Sequence, residues 1–242
     1  MKVVVGWSGG ITSAWCGAWA LSKFPKQDVI FLNHDTKEED PDTYRFSREV
    51  AEFLEHPITE CSDGRSVTEL CRDQGALANN FMAFCSRELK AKQRDKYFKM
   101  LRDSGETEIV NVLGFSAKEQ NRVQRTVAIG MIEGFTCRFP VIEEHKTKQE
   151  IADVFVEMGI KPPRMYCWSD HANCVGCFRG GKEYWLAVAE HAPDVFEQRA
   201  ALEEEFGHTI IKDTTLRELV QVGLKRSVTR RESITISCEC GD

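Results

Sequence analysis

Val3-Val-Val-Gly6-Trp7-Ser8-Gly9-Gly10-Ile11-Thr12-Ser13-Ala-Trp-Cys16-Gly-Ala-Trp-Ala20 is the stretch that decides the fold. Its short β-branched run predicts a buried parallel strand. Ser8-Gly9-Gly10 then makes a tight turn, and small and apolar residues open a helix. Strand, glycine turn and helix N-terminus together make an anion site. Glycines let backbone N–H groups approach an oxyanion, and the helix dipole favours negative charge there. The hydroxyls of Ser8, Thr12 and Ser13 add donors. No Gly-Lys-Ser/Thr follows, so this is not the usual nucleotide-triphosphatase loop, which places a lysine on the terminal phosphates. An ordinary glycine-rich connection is the other reading of the same residues.

Working outward, 28–36 reads as a second strand with polar residues at its carboxyl end, where ligands sit in doubly wound sheets. A charged loop at 37–42 leads to a helix over 43–54, with Phe46, Val50, Phe53 and Leu54 on one stripe. A short third strand at 56–61, a helix at 67–75 and a further helix entered from 81–90 follow. The next strand, 108–115, again carries a glycine at its end, and a helix spans 120–131. Residues 136–142 read as a last extended piece, and 147–159 as a helix with a glycine stop before Pro162-Pro163. Alternating strand and helix patterns predict an α/β fold, a Rossmann-like parallel sheet covered on both faces. From Pro162 the chain turns loop-like and rich in Cys, Gly and aromatics. Two helical segments follow, 184–190 and 194–206, and the tail at 233–242 alternates like a strand. The expected organisation is an α/β nucleotide-binding domain over 1–161 and a cysteine-bearing region over 162–242.

The 242 residues carry 32 Lys and Arg against 38 Asp and Glu, a net charge of −6. That balance gives no overall basic footprint for nonspecific nucleic-acid binding. The crowding of Lys90, Lys92, Arg94, Lys96, Lys99 and Arg102 reads as a solvated helix face. No apolar run approaches the roughly 20 residues needed to span a bilayer. A strand begins at Lys2, so no signal peptide is expected and the location predicted is cytoplasmic. The ten cysteines are then not a disulfide framework. Cys16, Cys71 and Cys137 sit in apolar patterns as small buried hydrophobes.

Cys85 and Cys174-x-x-Cys177 are spaced differently. A Cys-x-x-Cys turn brings two thiolates to one metal centre, and soft thiolate ligands select zinc or an iron–sulfur cluster. Spacing alone leaves both metals open, and unligated thiols as well. Asp35, at a strand end, is a short acceptor suited to ribose or adenine donors. Arg122, Arg87 and Lys90 offer the forks and point charges that bind phosphate or sulfate oxygens. Surface ion pairs are the plainer reading of each.

Several of these stretches, in order, resemble the phosphoadenylyl-sulfate (PAPS) reductase family of the adenine nucleotide α-hydrolase superfamily. Ser8-Gly9-Gly10-Ile-Thr12-Ser13 resembles its pyrophosphate loop, with Thr12 where an aspartate associated with metal–ATP handling is usual. Asp35-Thr36 with Thr43-Tyr44 resembles its Asp-Thr-Gly…Glu-Thr segment beside the adenosine, with Lys37 in place of glycine. Cys85-Ser-Arg87-Glu-Leu-Lys90 resembles its Cys-x-Arg-x-x-Lys element. Gly114-Phe-Ser-Ala-Lys-Glu119-Gln-Asn-Arg122 resembles its Gly-x-x-x-x-Glu-x-x-Arg loop. Phe139-Pro140, Pro163-Arg-Met-Tyr166 and Cys174-x-x-Cys177 resemble its closing region, and Glu239-Cys240-Gly241 its reductase tail, which here stops at Asp242.

The resemblance implies an adenine nucleotide on Ser8, Gly9, Gly10, Thr12, Ser13, Asp35, Thr36, Gly114, Glu119, Arg87 and Lys90, with Arg122 at the leaving group. It implies a [4Fe-4S] cluster on Cys85, Cys174 and Cys177, zinc being the alternative. Its fourth position is open or filled by Cys61, Cys167, Cys238 or Cys240. The activity implied first is sulfur transfer driven by ATP with Mg2+. The partners would be a sulfur or electron donor protein and a nucleic-acid acceptor, with no membrane; a homodimer is compatible with it. The second is reduction of PAPS or adenylyl sulfate (APS) to sulfite with Cys240 as nucleophile. A non-catalytic, metal-stabilised nucleotide-binding module is the third, because Thr12 lacks the acid.

Overall fold

The computed structural model describes residues 1–79 and 82–223. The β-branched run becomes β1 (Lys2–Trp7), followed by α1 (Ile11–Lys23), β2 (Val29–Asn33), α2 (Pro41–Phe53), β3 (Ile58–Glu60) and α3 (Val67–Gln74). A π-helical turn (Ser86–Ala91) runs straight into α4 (Lys92–Asp103), then β4 (Ile109–Val112), α5 (Gln120–Glu133) and β5 (Thr136–Arg138). After these come α6 (Pro140–Glu143), α7 (Lys148–Glu157), α8 (Lys182–His191), α9 (Pro193–Phe206) and α10 (Leu216–Val222). The strands form one all-parallel sheet in the order β3-β2-β1-β4-β5, the Rossmann-like α/β arrangement expected from the alternation. Among the described residues no helix is long and apolar enough to cross a membrane.

Period-two alternation of the strands feeds two cores. Val3, Val5, Trp7, Phe31 and Val112 pack with Cys16 of α1, Phe46 of α2, and Ile151 and Phe155 of α7. On the opposite face Val4, Leu32 and Ile109 meet Phe98 and Leu101 of α4 and Phe135. Trp7 stacks on Phe31 with centroids 4.3 Å apart. Each such buried side chain contributes about 1.5–3 kcal/mol, so packing rather than helix propensity holds these short elements in place. A third core joins Leu70 and Cys71 of α3, Leu77, Phe84 and Leu89 to Phe178, Trp185, Phe196, Leu202 and Leu216. It therefore binds the segment around Cys85 to the C-terminal helices.

The structure corrects four local expectations. The extended piece at 136–142 stops at Arg138, because Pro140 takes the first position of α6, where its missing N–H costs nothing. The segment leading on from 81–90 contains the π turn, a feature no periodicity signals. Helix α10, capped reciprocally by Thr215 and Glu218, was not expected. The basic run is not uniformly solvated. Arg94 lies over the rings of Phe98 and Phe135 at 5.9 and 5.5 Å, and Lys90 faces the cysteines described below. Cys16 and Cys71 are fully buried as expected, whereas Cys137 is half-buried. The tail at 233–242, with Cys238 and Cys240, lies outside the described residues.

Two histidines beneath the sheet edge give a pH signature. His56 is 8% exposed, with Nε2 3.0 Å from the Val29 carbonyl oxygen and Nδ1 unpartnered. His34 Nδ1 lies 3.1 Å from the Cys61 carbonyl oxygen. Burial pushes both below the ordinary value of 6.5. Both stay neutral in the fold while the unfolded chain takes up protons below that value. Stability is therefore lost as pH falls from about 6.5 toward the folded-state values, by at most about 1.4 kcal/mol per pH unit for each histidine. Urea midpoints should drop between about pH 7.5 and about pH 5.5, and less so in His56→Gln; a flat or rising midpoint would contradict this.

Candidate functional site

The chain leaves β1 toward β2 on one side and later returns to β4 on the other, so a topological switch point lies at the carboxyl ends of β1 and β4. Ser8-Gly9-Gly10 occupies it. Gly9 has φ +75°, and a side chain there would stand 2.7 Å from Thr43 Cγ2. Gly114, beyond β4, approaches so closely that a Cβ would lie 2.8 Å from the Thr12 carbonyl oxygen. Ser13 is 3% exposed, and its hydroxyl holds the turn together. It donates to the Gly10 carbonyl at 2.8 Å and lies 3.2 Å from both the N and Oγ of Ser8. Ser8 itself is exposed. No side chain caps α1 and no acid stands in its first turn, where Thr12 sits. Its N-terminal dipole is therefore not compensated by a charge in its own first turn.

At the end of β2, Asp35 accepts from the Lys37 backbone N at 2.8 Å and from the Tyr44 hydroxyl at 2.5 Å. Burial first, and the Asp35 hydrogen bond and charge second, push Tyr44 well above the usual phenol range. Thr36 is 1% exposed and turns the other way, with Oγ1 3.0 Å from Cys174 Sγ. Its hydroxyl therefore meets the cysteine-bearing segment.

The segment at 166–178 runs along the carboxyl edge of the sheet and links the two sides. The Tyr166 hydroxyl accepts from Ile11 N at 3.3 Å, at the start of α1. Ala172 Cβ lies 3.7 Å from where a Cβ on Gly10 would stand. Val175 N donates to the Glu38 carbonyl at 2.9 Å. Across the Cys-x-x-Cys turn, the Tyr184 hydroxyl accepts from Cys177 N and donates to the Cys174 carbonyl, both at 3.1 Å. Arg199, 2% exposed, donates to the Gly176 carbonyl at 3.1 Å, to Thr68 Oγ1 at 2.6 Å and to Glu38 Oε2 at 2.5 Å.

Cys85, Cys174 and Cys177 share one electrostatic neighbourhood with Lys90. Burial raises the Cys85 thiol, and Cys177 adds to the shift. Burial, then the charge of Glu39, raises Cys174 far more. Burial alone would lower Lys90, but Glu39 and the three cysteines outweigh it and hold the ammonium above its ordinary value. Glu39 Oε1 lies 3.6 Å from Lys90 Nζ and 3.5 Å from Cys174 Sγ, while its Oε2 is buried without a partner. The donor set is therefore of the kind that suits a soft metal, although among the described residues no three His, Cys, Asp or Glu groups already form a cage. Cys61 lies apart, with Sγ 3.6 Å from the Gln93 carbonyl oxygen in the core beneath β3 and α4.

Arg122 opens α5, pairs with Glu119 and lies 4.3 Å from the Phe115 ring centroid. Glu119 also closes a capping box with Ser116. Arg87 is directed outward, 64% exposed, and pairs with Glu88 at 2.9 Å. Sequence reading missed Glu39, Arg199 and Tyr184. None lies in a motif, and their partners are up to 161 residues away. A comparison with models of known protein families gives no match, and neither does a comparison with curated protein sequences.

Proposed function

We propose that this chain is an adenine-nucleotide-binding enzyme of sulfur chemistry in the cytoplasm, driving sulfur transfer by adenylation of an acceptor, with a nucleic acid as the acceptor class. One observation carries the reading: segment 166–178 packs on the glycine turn at one end and presents Cys174 and Cys177 beside Cys85 and Lys90 at the other. A phosphate-type turn and a thiol cluster thus share one edge of the sheet. In this reading the open N-terminus of α1 receives phosphate oxygens, Asp35 takes adenosine donors, and Arg122 meets the leaving group. Cys85, Cys174 and Cys177 would hold a [4Fe-4S] cluster, which when bound supplies an iron for a transferable sulfur. Lys90 offsets the negative charge of the thiolates, and Tyr184 and Arg199 fix the turn that carries two of them.

Anaerobic purification with iron, zinc and sulfide analysis tests this directly. Near-stoichiometric iron and sulfide is expected, with at least about a tenfold loss in Cys174→Ala, since removing one of three thiolates forfeits most of the metal affinity. One zinc per chain with no sulfide would make the cysteines structural. Neither metal would remove the cluster from the reading. Turnover of APS or PAPS that disappears in Cys240→Ser would replace sulfur transfer by sulfonucleotide reduction.

A further inference from the structure

Helix α5 flanks the sheet beside its last strand and buries almost nothing of itself. Of its 14 residues only Gly130 is buried. That glycine makes the contact with the body of the fold, since a Cβ there would stand 2.6 Å from the Phe135 carbonyl oxygen. The Thr126 carbonyl adds a second, accepting from the Cys137 thiol at 3.7 Å. Helical spacing puts Arg125, Ala128 and Ile132 on the side opposite Gly130, with Ile129 and Glu133 flanking them. Each of these is exposed. Ile132 at 85% and Met131 at 79% are the two most exposed large hydrophobic side chains among the described residues, and Ile129 adds to them at 37%. An apolar stripe of this kind marks an interaction surface. Because β5 is an edge strand, α5 lies at the rim of the sheet, where a second molecule can reach it.

We infer that this face of α5 is a homodimer interface, in which α5 packs antiparallel on α5 of a second copy about a twofold axis near Ile129. Charge complementarity selects a second copy as the occupant. Arg125 and Glu133 stand symmetrically before and after Ile129, each about 6 Å from it along the helix. Antiparallel pairing therefore sets Arg125 at the level of the partner's Glu133, and the twofold repeats the pair at the other end. Among the described residues neither side chain forms an ion pair within its own chain. Ile129 and Ile132 meet at the centre, where the small Ala128 permits close approach, and the charges form the rim. Antiparallel helix dipoles favour the same arrangement. One helix pair is at the small end of specific interfaces, so the dissociation constant should be on the order of micromolar. The inference is independent of the chemistry proposed above.

Sedimentation velocity of the full chain from about 1 to about 100 µM tests it. A monomer–dimer equilibrium is expected. Ile132→Asp, which changes a side chain already in water and so spares the fold, should raise the dissociation constant at least about tenfold. Arg125→Glu should do the same by setting acids against each other across the axis, and Arg125→Glu combined with Glu133→Arg should restore dimerisation. Met100→Asp, at another exposed apolar position, should leave the equilibrium unchanged. A chain that stays monomeric across the range overturns the inference. So does a dimer indifferent to Ile132→Asp, which would use another surface. Loss in both single variants without recovery in the double charge swap also overturns it, because the face would then meet something other than its own antiparallel copy.

Discussion

Arg199→Ala is expected to destabilise the fold by about 3 kcal/mol, because it removes the cation from a carboxylate that is only 13% exposed and keeps just its Thr68 donors. Glu38 Oε2 loses its 2.5 Å partner, and the Gly176 carbonyl and the Thr68 hydroxyl lose donors. The guanidinium also leaves the Phe178 ring, whose centroid is 4.8 Å away. Since Arg199 belongs to α9, Thr68 to α3 and Gly176 to the cysteine turn, the loss falls on the joint between the C-terminal helices and the sheet. Urea unfolding measures it. Arg199→Met combined with Glu38→Gln should recover much of the deficit, because the penalty lies in the unpaired charge rather than in the missing pair. A single-variant loss below about 1 kcal/mol, the scale of an exposed pair, would show that water reaches the network. Loosening the turn should also lower metal content in the variant, linking this packing device to the proposed site.

Gly9→Val should be the most damaging change at the glycine turn after β1. A β-branched residue at φ +75° carries a backbone penalty of about 1–2 kcal/mol. Its Cβ would also stand 2.7 Å from Thr43 Cγ2 and 3.4 Å from the Thr43 carbonyl, an overpacking worth about 1–3 kcal/mol more. Gly75→Val separates the two contributions, since Gly75 has φ +63° and nothing within 4 Å of a Cβ. It should cost only the backbone part. Under the proposed function, Gly9→Val should in addition reduce nucleotide affinity at least about tenfold, because the turn must shift away from the anion it would cradle. Equal destabilisation by the two valines would show that Thr43 yields freely and that the loop is not held by that contact.

The glycine turn was legible in the sequence because strand, turn and helix are adjacent in the chain, and each announces itself by local chemistry. The alternation of strand and helix patterns was legible for the same reason, and the parallel sheet follows from it. Other features escaped because no local pattern encodes them. The π turn at Ser86–Ala91 carries residues that would equally suit an α-helix. The Thr36 hydroxyl meets Cys174, 138 residues later. Lys90 stands in a basic run and was also a candidate nucleotide contact; its ammonium lies 3.6 Å from Glu39 and feels the charge of three cysteines remote in the chain.

By itself, then, the sequence determined the Rossmann-like class, the position of the turn after β1 and the candidate thiols, since periodicity, glycine and cysteine spacing act over a few residues. Only the tertiary structure decided that segment 166–178 lies along the carboxyl edge of the sheet and that Arg199 locks the cysteine turn to Glu38. These arrangements depend on shape and charge complementarity between groups remote in the chain, which become neighbours only when three apolar cores close around them.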